Sequence, residues 1–298
     1  MPHIELPIEL PQAGVNATVF MRQHGGAIAH AIAPERVENR MDIKVLKHGR
    51  ASLALVAQID GMKRFVKGYD LQNADAVASY QRERDTLQLM AKTGLCPKLQ
   101  HYSDAGQILI TEYIEGTHFR DIIDPDKLPP LCRGLGQWIG RYSRKAPSLH
   151  KGQDAAGNWF DYLQKYPDLA GSAVINASRG LLRDFTYDHY ILSKNDGALS
   201  NMMLSAEGRI YGIDFEHASY KPYGWDLLQA ARALVRLYPQ QTDLLTQYLG
   251  QGFCDTAKGQ AERYVALLRV FVIATAFSAT VVPASPIGQN TAKSTDHG

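Results

Sequence analysis

The chain has 298 residues, of which 45% are hydrophobic and 21% are charged, an ordinary balance for a globular protein that buries a sizeable core. Its formal net charge of +2 is too small to favour nucleic acid or an anionic membrane as the main partner. Three widely spaced cysteines, with no CxxC pair, indicate neither a disulfide framework nor a zinc site and fit a reducing, cytoplasmic compartment.

The two ends of the chain carry no chemical motif. Residues 1–42 form an N-terminal extension; its IELPIELP run is expected to be extended, and no signal peptide is expected because no basic segment precedes an apolar run. The apolar stretch 265–282 approaches the length of a membrane span, but Arg269 interrupts it, so we expect a buried helix and no stable membrane insertion. The polar tail 283–298 is predicted to be disordered.

Residues 43–115 are predicted to form a small antiparallel lobe. The runs IKVLKH, LALVAQI and RFVKGY alternate with the short segments GRAS and DGMK, which predicts three strands joined by tight turns. The Asp60-Gly61 pair is a strong hairpin signal. A helix is expected at about Ala74–Lys92, and QILITEYI is expected to add another strand.

Residues 116–282 are predicted to form a larger, mainly helical lobe. The runs MML and RIYGI predict a short hairpin. Helices are expected at about Leu131–Lys145, Trp159–Tyr166, Ser178–Leu192, Trp225–Leu237, Asp243–Leu249 and Gln260–Thr280. Strands in one block and helices in another give an α+β fold with two lobes of unequal size.

Three polar side chains are expected to converge at one end of the predicted hairpin. Asn201 immediately precedes MML and Asp214 immediately follows RIYGI, so the two meet where an antiparallel pair begins and ends. Asp196 lies in the loop that leads into the hairpin. Carboxylate and carboxamide oxygens are hard ligands of the kind that Mg²⁺ takes. A single aspartate or asparagine here is more often a turn or cap residue; three at this spacing favour a site.

The same residues have a known spacing. A protein-kinase catalytic loop has Asp and then Asn five positions later, followed by a metal-binding Asp one hairpin further on. The run IDFEHASYKPYGWDLLQAARAL, with Asn195-Asp196 and Asn201, resembles the choline kinase and aminoglycoside phosphotransferase family. This resemblance implies a bilobal protein-kinase-like fold with bound Mg-ATP.

The resemblance also implies roles for individual residues. Asp196 is the implied catalytic base, and Asn201 and Asp214 are the implied metal ligands. Asp226 is implied to bond the backbone of the catalytic loop. Glu216 is expected to join the metal shell or to face the substrate.

The N-terminal lobe offers an independent check. Glu83 interrupts an otherwise apolar stripe on the helix that follows RFVKGY, and a carboxylate there is costly without a cation. Lys67 on the preceding strand supplies one, as the strand lysine does in kinases, where it contacts the α- and β-phosphates. The alternative is a solvated Glu83 paired with Arg84 or with nothing.

The remaining nucleotide contacts have weaker signals. Gly49 to Ser52 lie where a glycine-rich loop belongs, and their backbone amides are expected to contact phosphate, although the stretch lacks GxGxxG. The ILITEYI strand resembles the hinge of the family, where Glu112 and Ile114 would offer backbone groups to adenine. Lys194 replaces the usual histidine of HxD and is a candidate to supply positive charge to the γ-phosphate.

These patterns predict a phosphotransferase that moves the γ-phosphate of ATP to a hydroxyl of a small molecule of amino alcohol, aminoglycoside or sugar type. The acceptor is expected near Asp184, Asp188, Trp159 and Trp225, where carboxylates and aromatic rings would suit a cationic amine. Two alternatives stay open. One is a protein or lipopolysaccharide kinase on the same fold, although the chain lacks an APE motif and a long activation segment. The other is a pseudokinase or nucleotide-binding scaffold.

Overall fold

The structure is a computed structural model that describes residues 4–5, 16–34, 41–48, 51–122, 124–149, 157–187, 189–257 and 261–281. The predicted tail and Gly49 lie outside these ranges, and so does Asp188.

The N-terminal part contains a six-stranded sheet that is antiparallel except for its first pair. Its strands are β1 (Ile4–Glu5), β2 (Met41–His48), β3 (Ser52–Ile59), β4 (Met62–Tyr69), β5 (Leu99–Ser103) and β6 (Ile108–Glu112). They lie in the order β1-β2-β3-β4-β6-β5. The four strands predicted from the sequence are confirmed as β2, β3, β4 and β6. The sequence did not reveal β5, because this edge strand is largely exposed and lacks apolar alternation.

A helix missed by the sequence analysis, α1 (Ala17–Ile32), covers one face of this sheet. Its apolar side chains share a core with those of β3, β4 and β6. The ring of Phe20 fills the space where a Cβ on Gly68 would lie, 2.2 Å from its nearest ring atom, so only glycine admits it there. The Gly25-Gly26 pair in the middle of the helix weakens its sequence signal.

The second helix of this part, α2 (Ala74–Met90), packs against the C-terminal core as well as the sheet. It begins at Asn73, whose side chain accepts hydrogen bonds from the amides of Asp75 and Ala76. The five residues of the predicted stripe are all buried, and they are Ala76, Tyr80, Glu83, Leu87 and Met90. The predicted helix is therefore confirmed, together with the face that it buries.

The C-terminal part is mainly helical. Its helices are α3 (Leu128–Lys145), α4 (Trp159–Leu163), α5 (Pro167–Ala170), α6 (Ala173–Ala177), α7 (Arg179–Asp184), α8 (Trp225–Leu237), α9 (Thr242–Thr256) and α10 (Ala261–Val281). Its short strands are β7 (Gly116–His118), β8 (Ser148–Leu149), β9 (Gly157–Asn158), β10 (Thr186–Tyr187), β11 (Tyr190–Ser193), β12 (Met202–Ser205), β13 (Ile210–Gly212) and β14 (Ser219–Pro222). They form the small sheets β7-β12-β13, β8-β11-β14 and β9-β10. The predicted hairpin is confirmed as β12–β13.

One predicted helix, Ser178–Leu192, is wrong over its second half. Helix α7 ends at Asp184, and the chain continues into β10 and β11. The aromatic and β-branched residues of this stretch suit a pleated, half-buried surface better than a helix. Pairing of β11 with both β8 and β14 then fixes the extended form.

Several helix ends differ from their predicted positions. Helix α3 begins at Leu128, three residues before its predicted start, because its two prolines lie in the first turn, where no amide donor is needed. Helix α4 ends at Leu163. Helix α9 runs on to Thr256 through two glycines. One of them, Gly252, lies so close to α3 that a Cβ would come within 1.9 Å of the Arg133 carbonyl oxygen, so its glycine serves helix packing and does not end the helix.

The architecture is thus α+β, with a small sheet lobe followed by a helical lobe, as predicted. Helices α8 and α10 agree with the predicted helices to within one residue at each end. Among the described helices, none combines the length and apolar character that a bilayer crossing requires.

Candidate active site

The β12–β13 hairpin places Asn201 and Asp214 at the same end of two paired strands. Met202 lies opposite Gly212 in the register. The pairing continues one residue further, because the amide of Ile213 donates to the carbonyl of Asn201 at 3.0 Å. The expected meeting of these two residues at one end of the ribbon is therefore confirmed.

Asp196 joins this end of the hairpin through its side chain. Asn201 Nδ2 donates to Asp196 Oδ2 at 2.5 Å, and the amide of Ala198 donates to Oδ1 at 2.9 Å. A short 3-10 helix at Leu199–Asn201 brings the carboxamide back toward the carboxylate. Because Asn201 uses its nitrogen for Asp196, its side-chain oxygen is the atom with which it can bind a cation.

Asn195 and Asp214 have left-handed backbone conformations, with φ of 56° and 61°. This region is uncommon for residues other than glycine, although asparagine and aspartate tolerate it better than most. Such conformations persist where surrounding contacts hold them, and they concentrate at functional sites. Here they occur beside or at two of the candidate residues, Asp196 and Asp214.

Lys67 of β4 lies at the centre of a group of carboxylates. Its ammonium lies 2.8 Å from Glu83 Oε2, 2.7 Å from Asp214 Oδ1 and 3.0 Å from Glu216 Oε2. The predicted pairing of Lys67 with Glu83 is therefore confirmed, and both residues are buried. Burial alone would lower the pKa of Lys67, but the surrounding carboxylates outweigh it and hold the pKa well above its ordinary value. The charged lysine thus links the sheet and α2 to the segment that follows β13.

Two side chains that the sequence analysis did not single out support this group. The hydroxyl of Tyr69 donates to Glu83 Oε2, and burial together with Glu83 raises the pKa of Tyr69, so the phenol stays a donor. Arg82 Nε donates to the carbonyl of Glu216 at 2.7 Å. The only sequence signal was position: Tyr69 is two residues after Lys67 on the same strand face, and Arg82 is next to Glu83.

The oxygen atoms around Asp214 suit a hard divalent cation. Glu83, Asp214 and Glu216 each offer a carboxylate oxygen within 4.8 Å of the others. Lys67 contacts all three, but Glu83 lies on α2 and is also bound by Tyr69. Asp214 and Glu216 directly follow β13, so they are the carboxylates nearest the hairpin end, with the side-chain oxygen of Asn201. Carboxylate and amide oxygens at such a site match the preference of Mg²⁺, so the residues present fit this ion.

Lys194 does not point toward an open phosphate site. It is only 2% exposed, and its ammonium lies 3.1 Å from the Asp214 carbonyl and 3.4 Å from the Asp196 carbonyl. It also lies over the ring of Phe215, 5.5 Å from the centroid. The ammonium of Lys194 is thus engaged by two backbone carbonyls, and the geometry gives no support to the idea that it supplies charge to a γ-phosphate.

Asp226, at the start of α8, holds the backbone ahead of Asp196. Its carboxylate accepts from the amides of Lys194 and Asn195 at 3.2 and 3.0 Å and from the Ser193 hydroxyl at 2.7 Å. Burial raises the pKa of Asp226 although these donors favour its charged form. The structural role expected for Asp226 is confirmed.

The segment expected to meet adenine lies at the end of β6. The amide of Glu112 donates to the Lys98 carbonyl at 3.0 Å, and its side chain accepts from the Lys98 amide at 2.9 Å. In the described part of the chain, the backbone of Ile114 has no such partner. The amide of Glu112, one of the groups expected to meet adenine, is therefore occupied within the protein.

Ser52 begins β3 and lies opposite Tyr69 of β4. Tyr69 is two residues after Lys67 on β4, so the first residue of β3 lies beside the end of the strand that carries the lysine.

The aromatic residues expected near the acceptor are part of the core. Trp159 and Trp225 are at most 1% exposed, stacked with their centroids 6.5 Å apart, and Tyr166 stacks on Trp225 at 4.7 Å. The indole N–H of Trp225 donates to Asn195 Oδ1 at 2.7 Å, so this ring supports the loop before Asp196. Neither indole face is free to enclose a cationic amine. Asp184, by contrast, is exposed at the end of α7.

Comparisons with known proteins agree with this geometry at the level of fold. No protein-family model matches the chain, and no curated protein sequence matches it. Among solved structures, an ethanolamine kinase from Plasmodium vivax is similar over 80% of this chain and 73% of that chain, with 13% identity and a TM-score of 0.51.

Two further solved structures are similar but fall below a TM-score of 0.5. A choline kinase from Streptococcus pneumoniae is 18% identical over 89% of this chain and 94% of that chain, with a TM-score of 0.49. An aminoglycoside phosphotransferase from Streptomyces rimosus is 12% identical over 88% of this chain and 99% of that chain, with a TM-score of 0.49.

At these identities the likeness concerns the fold. It is independent of the motif match on Asp196, Asn201 and Asp214, which rests on the sequence. The chain therefore shares the overall fold of the ethanolamine kinase structure.

Proposed function

We propose that this chain is a phosphotransferase that moves the γ-phosphate of Mg-ATP to a hydroxyl group of a small molecule. One observation carries the proposal. Lys67 binds Glu83 and Asp214 at the same time, and Asp214 lies at the hairpin end where Asn201 contacts Asp196. A cation, two oxygen ligands for a metal and a carboxylate base are thereby assembled from both lobes, which is the set of groups that phosphoryl transfer requires.

In this proposal the chain's own residues position the reactants. Lys67 binds oxygens of the α- and β-phosphates, with Glu83 as its fixed partner. The backbone of Ile114, with Glu112, faces adenine, and the turn from Gly49 to Ser52 borders the phosphates. Asn201 and Asp214 hold Mg²⁺, with Glu216 beside them. When bound, the ion neutralises negative charge on the phosphate oxygens.

Asp196 orients the acceptor hydroxyl and takes its proton on a carboxylate oxygen. The acceptor oxygen forms a bond to the γ-phosphorus as the bond between that phosphorus and the ADP oxygen breaks, so ADP leaves with the electron pair. Asn201 and the Ala198 amide fix the carboxylate, which supports an orienting role that requires no unusual pKa.

We place the boundary between the two lobes at Glu115. Strand β6 is the last strand of the first sheet in chain order, and it ends at Glu112. Strand β7, which begins at Gly116, pairs with β12 of the second lobe. Residues 43–115 then form the nucleotide-binding lobe and 116–282 the helical lobe. The packing of α1 on the sheet supports including it in the first lobe.

The acceptor is proposed to be a small molecule because the segment 215–224, between Asp214 and α8, is short. A protein or lipopolysaccharide kinase on the same fold would need a surface for a larger acceptor. The buried state of Trp159 and Trp225 removes the main support for a cationic amine, so sugars and hydroxy acids belong in the search beside amino alcohols and aminoglycosides.

The test is ADP release from Mg-ATP across a panel of amino alcohols, aminoglycosides, sugars and hydroxy acids, with the Asp196→Ala variant run alongside. We expect one class to stimulate release and the variant to lose about 10²- to 10⁴-fold in kcat, the usual contribution of a general base. ATP binding should persist in the variant, because Asp196 is not proposed to contact the nucleotide.

The matched control is Asp243→Ala, which removes an exposed carboxylate from the first turn of α9, outside the candidate site. It should leave turnover unchanged. Equal turnover in Asp196→Ala and the wild type would contradict the base assignment. Intact Mg-ATP binding with no stimulation by any acceptor would favour the pseudokinase alternative.

A further inference from the structure

Lys194 directly follows β11 and is buried, and both its backbone amide and its ammonium form hydrogen bonds. Its backbone amide donates to Asp226 at 3.2 Å. Its ammonium donates to the carbonyl of Asp214 at 3.1 Å and approaches that of Asp196 at 3.4 Å. The ring of Phe215 lies beneath the ammonium. One side chain therefore contacts the loop that carries the proposed base and the segment that carries the proposed metal ligand.

Burying an ammonium group is costly unless a carboxylate compensates for the lost hydration. The nearest carboxylate oxygen, on Asp196, lies 3.8 Å from the Lys194 nitrogen, beyond hydrogen-bond distance. Consistent with this, burial lowers the pKa of Lys194. The two carbonyl contacts, together with the more distant carboxylate of Asp196, offset part of this cost.

We propose that Lys194 is a positioning residue for phosphoryl transfer, whose ammonium fixes Asp196 relative to Asp214 by binding both backbone carbonyls. This role rests on the proposed function. It differs from a role in phosphate binding, because the ammonium is engaged by the two carbonyls.

The backbone conformations of Asp214 and Asn195 explain why these loops need contacts that hold them. Asp214 and Asn195 both have positive φ, at 61° and 56°, and strain of this kind persists only where neighbouring contacts hold it. Asp226 and Trp225 hold Asn195. Lys67 binds the carboxylate of Asp214, and Lys194 binds its backbone carbonyl. Removing the Lys194 ammonium would therefore remove a contact that holds the backbone of the proposed metal ligand.

The test compares Lys194→Met, an unbranched side chain one atom shorter and without a donor, with Lys194→Gln, which has the same reach as methionine and a neutral donor. ADP release from Mg-ATP is measured with the acceptor class that stimulates the wild type. We expect Lys194→Met to lower kcat about 100-fold, the loss that a misplacement of roughly 1 Å can cause, with little change in the KM for ATP. Lys194→Gln should recover most of this loss.

Peptide-level hydrogen exchange gives a second readout that does not depend on turnover. Lys194→Met should exchange faster than the wild type across 196–201 and 213–216 and equally fast across α2. The matched control is Lys145→Met, which removes a lysine that also donates to a backbone carbonyl, that of Thr93 at 3.4 Å, at the end of α3. It should change neither exchange in these segments nor kcat.

The outcomes separate this role from the proposed function. A wild-type chain that transfers phosphate, together with an unchanged kcat and exchange pattern in Lys194→Met, overturns the positioning role alone. Equal impairment of the Met and Gln variants also overturns it, because the carbonyl contacts would then not be the cause. A wild-type chain that binds no Mg-ATP overturns the proposed function itself.

Discussion

Two buried lysines lie at the candidate site, and the protein holds them by different groups. Lys67 in the sheet lobe is surrounded by three carboxylates within 3.0 Å of its ammonium. Among the residues that the structure describes, the ammonium of Lys194 in the helical lobe has two backbone carbonyls within hydrogen-bond distance, and the carboxylate of Asp196 lies further away, at 3.8 Å. The pKa of Lys67 is accordingly raised and that of Lys194 is lowered.

The difference indicates which lysine can change partners. The carboxylates around Lys67 are groups for which a metal ion can compete, and phosphate oxygens can replace them at the ammonium. The carbonyls around Lys194 belong to the backbone and move only if the loops move. This contrast agrees with the proposed roles, in which Lys67 binds the ligand and Lys194 positions the two loops.

Replacing Lys67 by methionine should have the largest effect on stability. Three carboxylates would lose their common cation, and removing one partner from a buried ion pair costs roughly 3–5 kcal/mol in the free energy of unfolding. The ATP affinity should fall as well. Urea unfolding and ATP titration measure both.

The matched control for this change is Lys63→Met, on the same strand. Lys63 pairs with Glu115 at 2.6 Å, but both side chains are exposed, so little stability should be lost. If Lys67→Met were as stable as Lys63→Met, the carboxylate group around Lys67 would not contribute to folding.

Removing the hydroxyl of Tyr69 should have the next largest effect. Tyr69→Phe leaves Glu83 with Lys67 as its single described side-chain partner, and the loss of a hydrogen bond to a charged group is worth about 2 kcal/mol. Tyr80→Phe is the control, because the hydroxyl of Tyr80 donates to an exposed carboxylate, that of Asp104. Similar losses in the two variants, measured by urea unfolding, would show that Tyr69 has no special role in holding Glu83.

The two lysines should also differ in how stability depends on pH. The raised pKa of Lys67 means that its contribution is fully present below the ordinary pKa of 10.5 and is lost as pH rises further. The lowered pKa of Lys194 means that the folded state loses this proton first, so stability rises with pH between the folded pKa and 10.5. Each slope is at most about 1.4 kcal/mol per pH unit.

Unfolding of the wild type and of the two methionine variants at several pH values from neutral to alkaline tests this difference. The stability of the wild type relative to Lys194→Met should rise toward pH 10.5, whereas its stability relative to Lys67→Met should stay level and then fall. If the stability difference between the wild type and each methionine variant changed with pH in the same direction for both lysines, the two ammonium groups would not have the contrasting surroundings described here.

The sequence predicted those parts of the molecule whose pattern is local. Strands β2 to β4 and helix α2 follow from alternation and from an apolar stripe, and the charge of Glu83 within that stripe correctly indicated a buried partner. The wrong second half of the Ser178–Leu192 helix shows the limit, because pairing of β11 with two other strands decided its conformation. Such pairing is a tertiary effect that composition does not reveal.

The candidate site was predictable to a similar extent. The spacing of Asp196, Asn201 and Asp214 indicated their convergence, since a hairpin joins two of them. The contacts of Tyr69 and Lys194 were not predictable, because each depends on how one loop or helix packs over another. The sequence suggested that Lys194 offers an available positive charge. The structure shows instead that the side chain is buried and that its ammonium donates to a backbone carbonyl.

The central claim is that Asp214, with Lys67, forms a binding site for Mg-ATP, and it can be tested without knowing the acceptor. The measurement is a calorimetric titration of ATP, with and without Mg²⁺, into the wild type and Asp214→Ala. We predict that Mg²⁺ strengthens ATP binding to the wild type and that the variant loses this dependence. A wild type that binds no ATP, or a variant with the full Mg²⁺ dependence, would contradict the account.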